Sequence, residues 1–306
     1  MRYVFIINPN AGKGTKQTGI KRKIEECFAE NSGDFAIYET ETPEIASEVA
    51  TKEAKSGGEI TVFACGGEGT SFRVINSVIG FDNVSVGVIP CGSANDFLKF
   101  FDNAEKFSDI RSQIAGTRIK ADLIKTDAGY CLNGCSVGMD AVVARDMTEF
   151  KRLPLVTGAT AYKLSIAKTF LGKIGVDIRL SIDSSAPICG SYLFAVIANA
   201  PYYGGGYKAA PDAVPYDGML DFTTVKKISK LKIPKFLSLY KNGNYGNLDY
   251  CKSGRCRKMS FSADCPIPVN LDGEIIERSE MSFEIAEKAL SFVVPKGVKS
   301  RLLTNV

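Results

Sequence analysis

The sequence predicts an α/β fold in two parts: an N-terminal open α/β domain and a C-terminal antiparallel, β-sandwich-like domain. Two patterns carry this. Apolar strand-like runs alternate with helix-spaced segments in the first third, whereas strand-like runs follow one another after about residue 118. Length agrees, because 306 residues at roughly 150 per domain leave room for two domains. A hydrophobic fraction of 45% with 24% charged residues is ordinary for a globular chain and excludes wholesale disorder. No apolar run approaches the ~20 residues that span a bilayer. The longest, Tyr192 to Ala200, reads as a buried strand.

Tyr3 to Ile7 is a β-branched, apolar run that ends in the turn-rich Asn8-Pro9-Asn10-Ala11-Gly12-Lys13-Gly14. Residues 16 to 30 carry helical spacing at Ile20, Ile24, Cys27 and Phe28, and Phe35 to Tyr38 form the next strand. Pro43 after Thr42 fits the first position of a helix whose apolar face holds Ile45, Val49 and Ala50. Ile60 to Cys65 and Val84 to Ile89 are further strands, with Val74 to Ile79 in the helix between them. In the second part, strands are expected at Ile119 to Thr126, Tyr130 to Asn133, Val176 to Ile182, Tyr192 to Asn199, Leu220 to Val225 and Lys258 to Ser262. Helices are expected at about 140–150, 158–172 and 231–241, and Ser282 to Val294 returns as strand toward the first domain.

The chain has no histidine. That removes Ser-His-Asp and Cys-His catalysis and His-containing zinc sites, and leaves a carboxylate, Lys, Tyr or Cys as any general base. Nine cysteines, an odd number scattered through mostly apolar runs (Cys27, Cys65, Cys131, Cys189), read as reduced buried thiols. Cys251, Cys256 and Cys265 lack the C-x-x-C spacing of a zinc knuckle. The start, Met1-Arg2-Tyr3, enters a strand without signal-peptide architecture, so a cytoplasmic protein is expected. Charge is uneven: Phe222 to Ala263 holds ten Lys or Arg against one acid, Asp249, so the rest of the chain is at −5 under an overall +4. Lys226–Lys235 and Lys252–Lys258 are therefore a candidate anion-attracting surface or a plain solvated face.

Gly66-Gly67-Glu68-Gly69-Thr70 follows a buried strand and opens a helix. Ligands of α/β sheets bind at the carboxyl ends of strands, where glycines admit a phosphate to backbone N–H groups at a helix N-terminus. The loop matches neither common nucleotide fingerprint, and alone it also describes a tight strand–helix turn. The next strand ends alike, in Pro90-Cys91-Gly92-Ser93-Ala94-Asn95-Asp96-Phe97, and Asn8 and Gly12 close the first strand on the same edge. Three such loops make a nucleotide-phosphate site, with Glu68 and Asp96 placed to hold Mg²⁺ directly or through water. Asp272-Gly273-Glu274, after Val269-Asn270-Leu271, reads by itself as a hairpin turn.

In order along the chain stand N-P-N-A-G-K-G, G-G-E-G-T, G-S-A-N-D-F, V-G-M-D-A, N-A-P-Y-Y-G-G-G with P-D-A-V-P-Y-D-G-M-L-D, and D-G-E. This series resembles the diacylglycerol kinase catalytic-domain family, which holds bacterial soluble lipid kinases together with sphingosine and ceramide kinases. The resemblance implies an ATP-binding α/β domain at 1–124, rejoined by 286–306, and a lipid-substrate domain at 125–285, with the active site in the cleft between them. It further implies ATP as co-substrate, held by Asn8, Gly12, Thr40, Gly66, Gly67, Gly69, Thr70, Ser93 and Asn95.

Glu68 and Asp96 would serve the Mg²⁺ network, and Asp272, with Glu274 beside it, would deprotonate the lipid hydroxyl. Asp212, Asp217 and the Met219 carbonyl would match a loop for a second, structural Mg²⁺, or form a plain polar turn. The expected reaction is phosphoryl transfer to diacylglycerol or a similar neutral lipid alcohol, which positioning, a metal ion and a carboxylate base suffice to run. Expected partners are the lipid and the anionic inner face of a membrane, met by the basic segments as a peripheral enzyme, with no nucleic acid; a homodimer through a sheet edge rests on the resemblance alone. The sequence departs from the family at Glu68, where the loop usually carries Asp, and at Arg73, where a later Glu usually stands. Those departures motivate the alternative of a catalytically weak or inactive nucleotide- or lipid-binding regulator. An NAD-kinase-like phosphotransferase is the third alternative.

Overall fold

Strands β1 (Arg2–Ile7), β2 (Asp34–Glu39), β3 (Ile60–Gly66) and β4 (Val84–Pro90) alternate with helices α1 (Thr15–Ala29), α2 (Pro43–Ala54) and α3 (Glu68–Val78). These come from a computed structural model that describes residues 1–11, 15–29, 33–91, 95–150, 153, 156–172 and 174–299. After β4 the chain runs through 3₁₀ turns at Asp96–Phe100 and Ala104–Ser108, then α4 (Ile110–Ile114) and β5 (Thr117–Thr126). Next come β6 (Gly129–Cys131), β7 (Gly134–Gly138), α5 (Met139–Phe150), α6 (Gly158–Leu171), β8 (Val176–Ile182), β9 (Ile188–Ala198) and β10 (Leu220–Lys226). A 3₁₀ turn at Lys230–Lys232 leads into α7 (Ile233–Lys241), β11 (Cys251–Cys256), β12 (Lys258–Leu271) and β13 (Glu274–Val294). The chain divides into two compact units, Met1–Leu123 with Glu287–Val306, and Ile124–Ala286.

In the first unit the strand order is β2-β1-β3-β4, and the end of β13 joins β4 through Phe292 and Val86. All these pairs are parallel. β3 is buried at every position and β4 at all but its last, as the continuous apolar runs of central parallel strands require. Phe5 stacks on Phe63 and meets Phe28 edge-on within one core cluster. Gly87 makes room there, because a Cβ would lie 2.4 Å from the ring of its cross-strand partner Phe63. Helix α2 starts where the sequence signals it: the Thr42 hydroxyl accepts the Ile45 N–H at 3.4 Å, and Pro43 occupies the first turn. The chain leaves β1 toward β2 on one side and returns to β3 on the other. The β1/β3 boundary is thus a topological switch point, where strand-end loops part and leave a crevice.

The second unit is antiparallel. Strands run β11-β10-β9-β7-β12-β13, and β8 pairs with both β9 and β12. β9 gives its first half to β8 and its second half to β7, and β12 does likewise, with a register shift between Ser262 and Ile267. An apolar cluster of Leu193, Phe194, Val196, Phe236 and Tyr240 lies beneath.

Several elements differ from the sequence expectation. β7 has no element in the sequence expectation, and its glycines serve close approach. A Cβ on Gly134 would meet the Tyr203 ring at 3.2 Å, and Gly138 has φ +112. β11 carries Lys252 and Arg255 as an edge strand does, and its Gly254 sits under the Phe222 ring. β13 starts at Glu274 rather than Ser282, its polar residues being those of a half-exposed strand. Cys189, expected as buried, is exposed near the start of β9, as is Cys265 in the irregular stretch of β12.

Candidate functional site

In the first unit the predicted residues gather at the carboxyl ends of β1 to β4. The Asn8 amide donates to Thr70 Oγ1 at 3.2 Å, joining the β1 and β3 loops across the switch point. Asn8 Oδ1 accepts the Asn10 N–H at 2.9 Å and so shapes its own loop. Thr40, buried after β2, holds the Ile7 carbonyl through its N–H and its hydroxyl. Gly66 ends β3 where no side chain fits, since a Cβ would lie 2.3 Å from Thr70 Oγ1. Gly67 is the N-cap of α3 and supplies no side-chain cap, so the first-turn N–H groups receive no hydrogen bond from it.

Glu68 Oε1 accepts the Asp96 N–H at 2.9 Å, which ties the β3 loop to the β4 loop. Asp96, 1% exposed at its side chain, pairs with Lys99 Nζ at 2.5 Å. Asn95 stands before it at φ +48, a left-handed position that asparagine tolerates. Gly12 and Ser93 lie outside the described residues.

In the second unit Asp272 and Gly273 form the two-residue turn between β12 and β13, with φ of +48 and +92 and Leu271 paired to Glu274. That is the Asp-Gly geometry of a type I′ hairpin. The Asp272 carboxylate turns inward, 5% exposed. Its oxygens accept the N–H groups of Leu132 (2.5 Å), Asn133 (3.1 Å) and Gly134 (2.8 Å). Burial pushes its pKa up to about 6, against the pull of those three amides. Glu274 opens β13 directly after the turn.

Sequence reasoning quoted Asp140 within V-G-M-D-A but gave it no role. It sits in the first turn of α5, and neither carboxylate oxygen makes a close hydrogen bond although both are buried. Burial lifts its pKa to about 6, tempered by the Ser136 hydroxyl, the Ala141 amide and the Tyr203 hydroxyl. The Ser136 and Tyr203 hydroxyls bond each other at 2.6 Å, and Tyr203 packs on Gly134, an amide donor to Asp272. Asn133 Oδ1 is likewise buried without a partner. Both are buried acceptors that only side-chain packing could reveal.

The diacylglycerol kinase catalytic domain profile matches residues 2–126, and the YegS C-terminal NAD kinase beta sandwich-like domain profile matches residues 133–294. The chain belongs to the diacylglycerol kinase catalytic-domain family. "Putative lipid kinase SH2167" of Staphylococcus haemolyticus is 27% identical over 293 residues, covering 92% of this chain and 89% of its own. "Putative lipid kinase YtlR" of Bacillus subtilis is 26% identical over 297 residues, covering 90% and 93%. A crystal structure from Bacillus anthracis str. Sterne, described as "a putative diacylglycerol kinase", superposes with a TM-score of 0.74 at 18% identity over 97% of this chain and 96% of that one, a likeness of fold.

Two features of this family member depart from the expected metal chemistry. Glu68, one methylene longer than the usual Asp, reaches the Asp96 amide. Arg73 lies near enough to Glu44 to contribute to that carboxyl's lowered pKa, after the Glu44 amide and the Thr42 hydroxyl. Among the described residues no three His, Cys, Asp or Glu side chains cluster to hold a metal ion. Glu68 and Asp96 are the two carboxylates that the strand-end loops bring together, and each has a partner, the Asp96 amide and Lys99. Mg²⁺ is a hard cation that takes one or two carboxylates and completes its shell with substrate phosphates and water.

The Asp212–Asp217–Met219 loop does not fit a second ion. Asp217 Oδ1 accepts the Met219 N–H at 3.1 Å, and Oδ2 is ion-paired with Arg255. Arg255 Nε also lies 3.9 Å from the buried Asp221 carboxylate, its cross-strand partner, and Arg257 donates to the Gly218 carbonyl at 3.2 Å. A guanidinium already supplies the positive charge. Burial raises Asp221 to about 6, which Arg255 opposes and Asp217 and Asp212 reinforce. Because the folded carboxyl titrates above its ordinary 3.8, stability falls as pH rises through that window. Arg255→Gln extends the window upward. Thermal melts are expected to show a loss of about 1 kcal/mol near neutral pH that shrinks toward pH ~5 as Asp221 takes up its proton. Chelation of divalent ions is expected to leave the melting temperature unchanged.

Proposed function

We propose that the protein is an ATP- and Mg²⁺-dependent lipid kinase that transfers the γ-phosphate of ATP to the hydroxyl of diacylglycerol, giving phosphatidic acid, or to a similar neutral lipid alcohol. The observation that carries this reading is that a chain of this family has both an uncapped helix N-terminus at a switch point of its first unit and a buried, amide-held carboxylate in its second. In this reading ATP is bound by Asn8, Thr40, the Gly66–Thr70 loop and Asn95, with the α3 N–H groups on its phosphates. Gly12 and Ser93 complete the set. Glu68 and Asp96 would hold Mg²⁺, which when bound neutralises phosphate charge.

Asp272 accepts the proton of the lipid hydroxyl as its oxygen bonds to the γ-phosphorus and ADP leaves with the electrons of the broken P–O bond. Glu274 adds negative charge beside it. The enzyme would work in the cytoplasm at the inner face of the membrane.

One observation favours a second reading, a nucleotide- or lipid-binding regulator with weak or no activity: Lys99 already neutralises Asp96, and Glu68 is engaged by an amide. Transfer of label from radiolabelled ATP to diacylglycerol in mixed micelles containing anionic lipid separates the two. Labelled phosphatidic acid supports the kinase. No label on any lipid alcohol, together with label once Glu68→Asp is introduced, supports the regulator.

A further inference from the structure

Two leucines stand almost wholly in solvent. Leu171, the last residue of α6, is 88% exposed, and Leu231, in the 3₁₀ turn before α7, is 93% exposed; the next most exposed large hydrophobic described is Ile188 at 55%. They belong to one tip of the second unit. Lys230 Nζ donates to the Phe170 carbonyl at 2.5 Å and to the Gly172 carbonyl at 2.9 Å, tying the two segments and capping the C-terminus of α6. Phe170, Ile174, Ile228 and Ile233 belong to the core cluster below, so the tip has a packed base.

The charge around this tip is uncommitted. Lys226, Lys227, Lys232 and Lys235 are exposed and form no ion pair with a described residue. The second basic segment differs. Arg255 pairs with Asp217, Arg257 with the Gly218 carbonyl and Lys258 with Glu284. The basic surface expected at both segments therefore concentrates at the first.

We propose that Leu171 and Leu231 insert into an anionic bilayer while Lys226, Lys227, Lys232 and Lys235 contact its headgroups. The choice of a bilayer as partner rests on the lipid-kinase reading; the tip itself does not. A nucleic acid would use the lysines and leave the leucines in water, whereas an apolar apex ringed by unpaired lysines matches the depth profile of a membrane interface. A stable protein partner would need roughly 800 Å² per side, far more than two side chains provide.

Flotation of the full chain with vesicles, in the absence of ATP, tests this. The protein is expected to bind equimolar phosphatidylcholine–phosphatidylglycerol vesicles and not phosphatidylcholine alone, and to be released by salt. Leu171→Ser with Leu231→Ser is expected to weaken binding by roughly tenfold per leucine. Replacing the four lysines by glutamine is expected to weaken it by about fivefold per lysine. Thermal melts of these surface variants verify their fold, and their transfer to a short-chain diacylglycerol in neutral micelles is expected to match the unmodified protein.

Equal binding by the leucine variant would overturn the inference. So would failure of the unmodified chain to bind anionic vesicles, or a preference for RNA that the leucines do not affect. Vesicle binding that follows this pattern without any lipid phosphorylation would uphold the docking tip and defeat the kinase reading instead.

Discussion

Asp272→Asn is expected to cut phosphate transfer by about a thousandfold, the size of a lost general base, while ATP binding, followed by titration with a fluorescent nucleotide, is retained. The expectation follows from the position of the carboxylate. Asp272 is buried, and three backbone N–H groups hold it at fixed orientation. Its pKa of about 6 leaves it ionised yet basic enough to take a proton near neutral pH. kcat/KM of the unmodified enzyme is therefore expected to fall as pH drops through about 6, since the proton-accepting form disappears. The residual activity of the variant should lack that acid limb.

Asn also turns an N–H₂ group toward the amides of Leu132 or Gly134, so a melting curve must accompany the assay. A variant that melts like the unmodified protein, binds ATP and has lost both activity and acid limb supports the base. A variant that transfers phosphate at the original rate removes Asp272 from that role.

Gly138→Ala is expected to be among the most damaging single methyl groups in the second unit. Gly138 joins β7 to α5 at φ +112, where an L side chain is strained. Its Cβ would come within 2.6 Å of the Leu193 carbonyl and 2.7 Å of the Phe194 Cα, both backbone atoms that no rotamer change can move. Strain and overpacking together should cost about 4 kcal/mol, or roughly 10 °C in melting temperature for a domain of this size. An unchanged melt would mean that β7 and β9 separate more readily than their pairing implies. Gly204→Ala is the control, with φ +64 but open space around it; it should lose only the backbone strain.

The fold was legible where one periodicity ruled. Ile60–Gly66 and Val84–Pro90 are apolar throughout because both faces of a central parallel strand are covered, and the run itself says so. Thr42-Pro43 names the start of α2 through cap chemistry that is local. Legibility failed where tertiary contact overrides propensity. Gly134-Cys135-Ser136-Val137-Gly138 has no element in the sequence expectation, and it is a strand because β9 and β12 flank it. The strand-end loops could be found from glycine and carboxylate spacing, and the structure links Asn8 to Thr70 and Glu68 to Asp96. By its local residues the turn-borne Asp272 carried only a hairpin signal, and its role came from the motif series, because its partners, Leu132 to Gly134, lie about 140 residues away. Asp140 carried no signal beyond its motif, since an unpaired buried oxygen is a property of packing.

A chain without histidine has an unusual proton economy. Asp140, Asp221 and Asp272 all titrate at about 6, so the proton uptake normally ascribed to imidazole belongs here to buried carboxyls. Each is stabilised by protonation, and together they draw stability down as the solution passes from acid toward neutral. Glu53, held low by Arg2 and Tyr38 against burial, and Asp109, held low by Ser112, act in the opposite direction and lose their contribution only in stronger acid. For these groups the balance is most favourable at the acid end of that range, at about pH 4. In infrared difference spectra this would appear as carbonyl stretching of neutral carboxylic acids that fades as the solution approaches neutrality, with no imidazole band to overlap it.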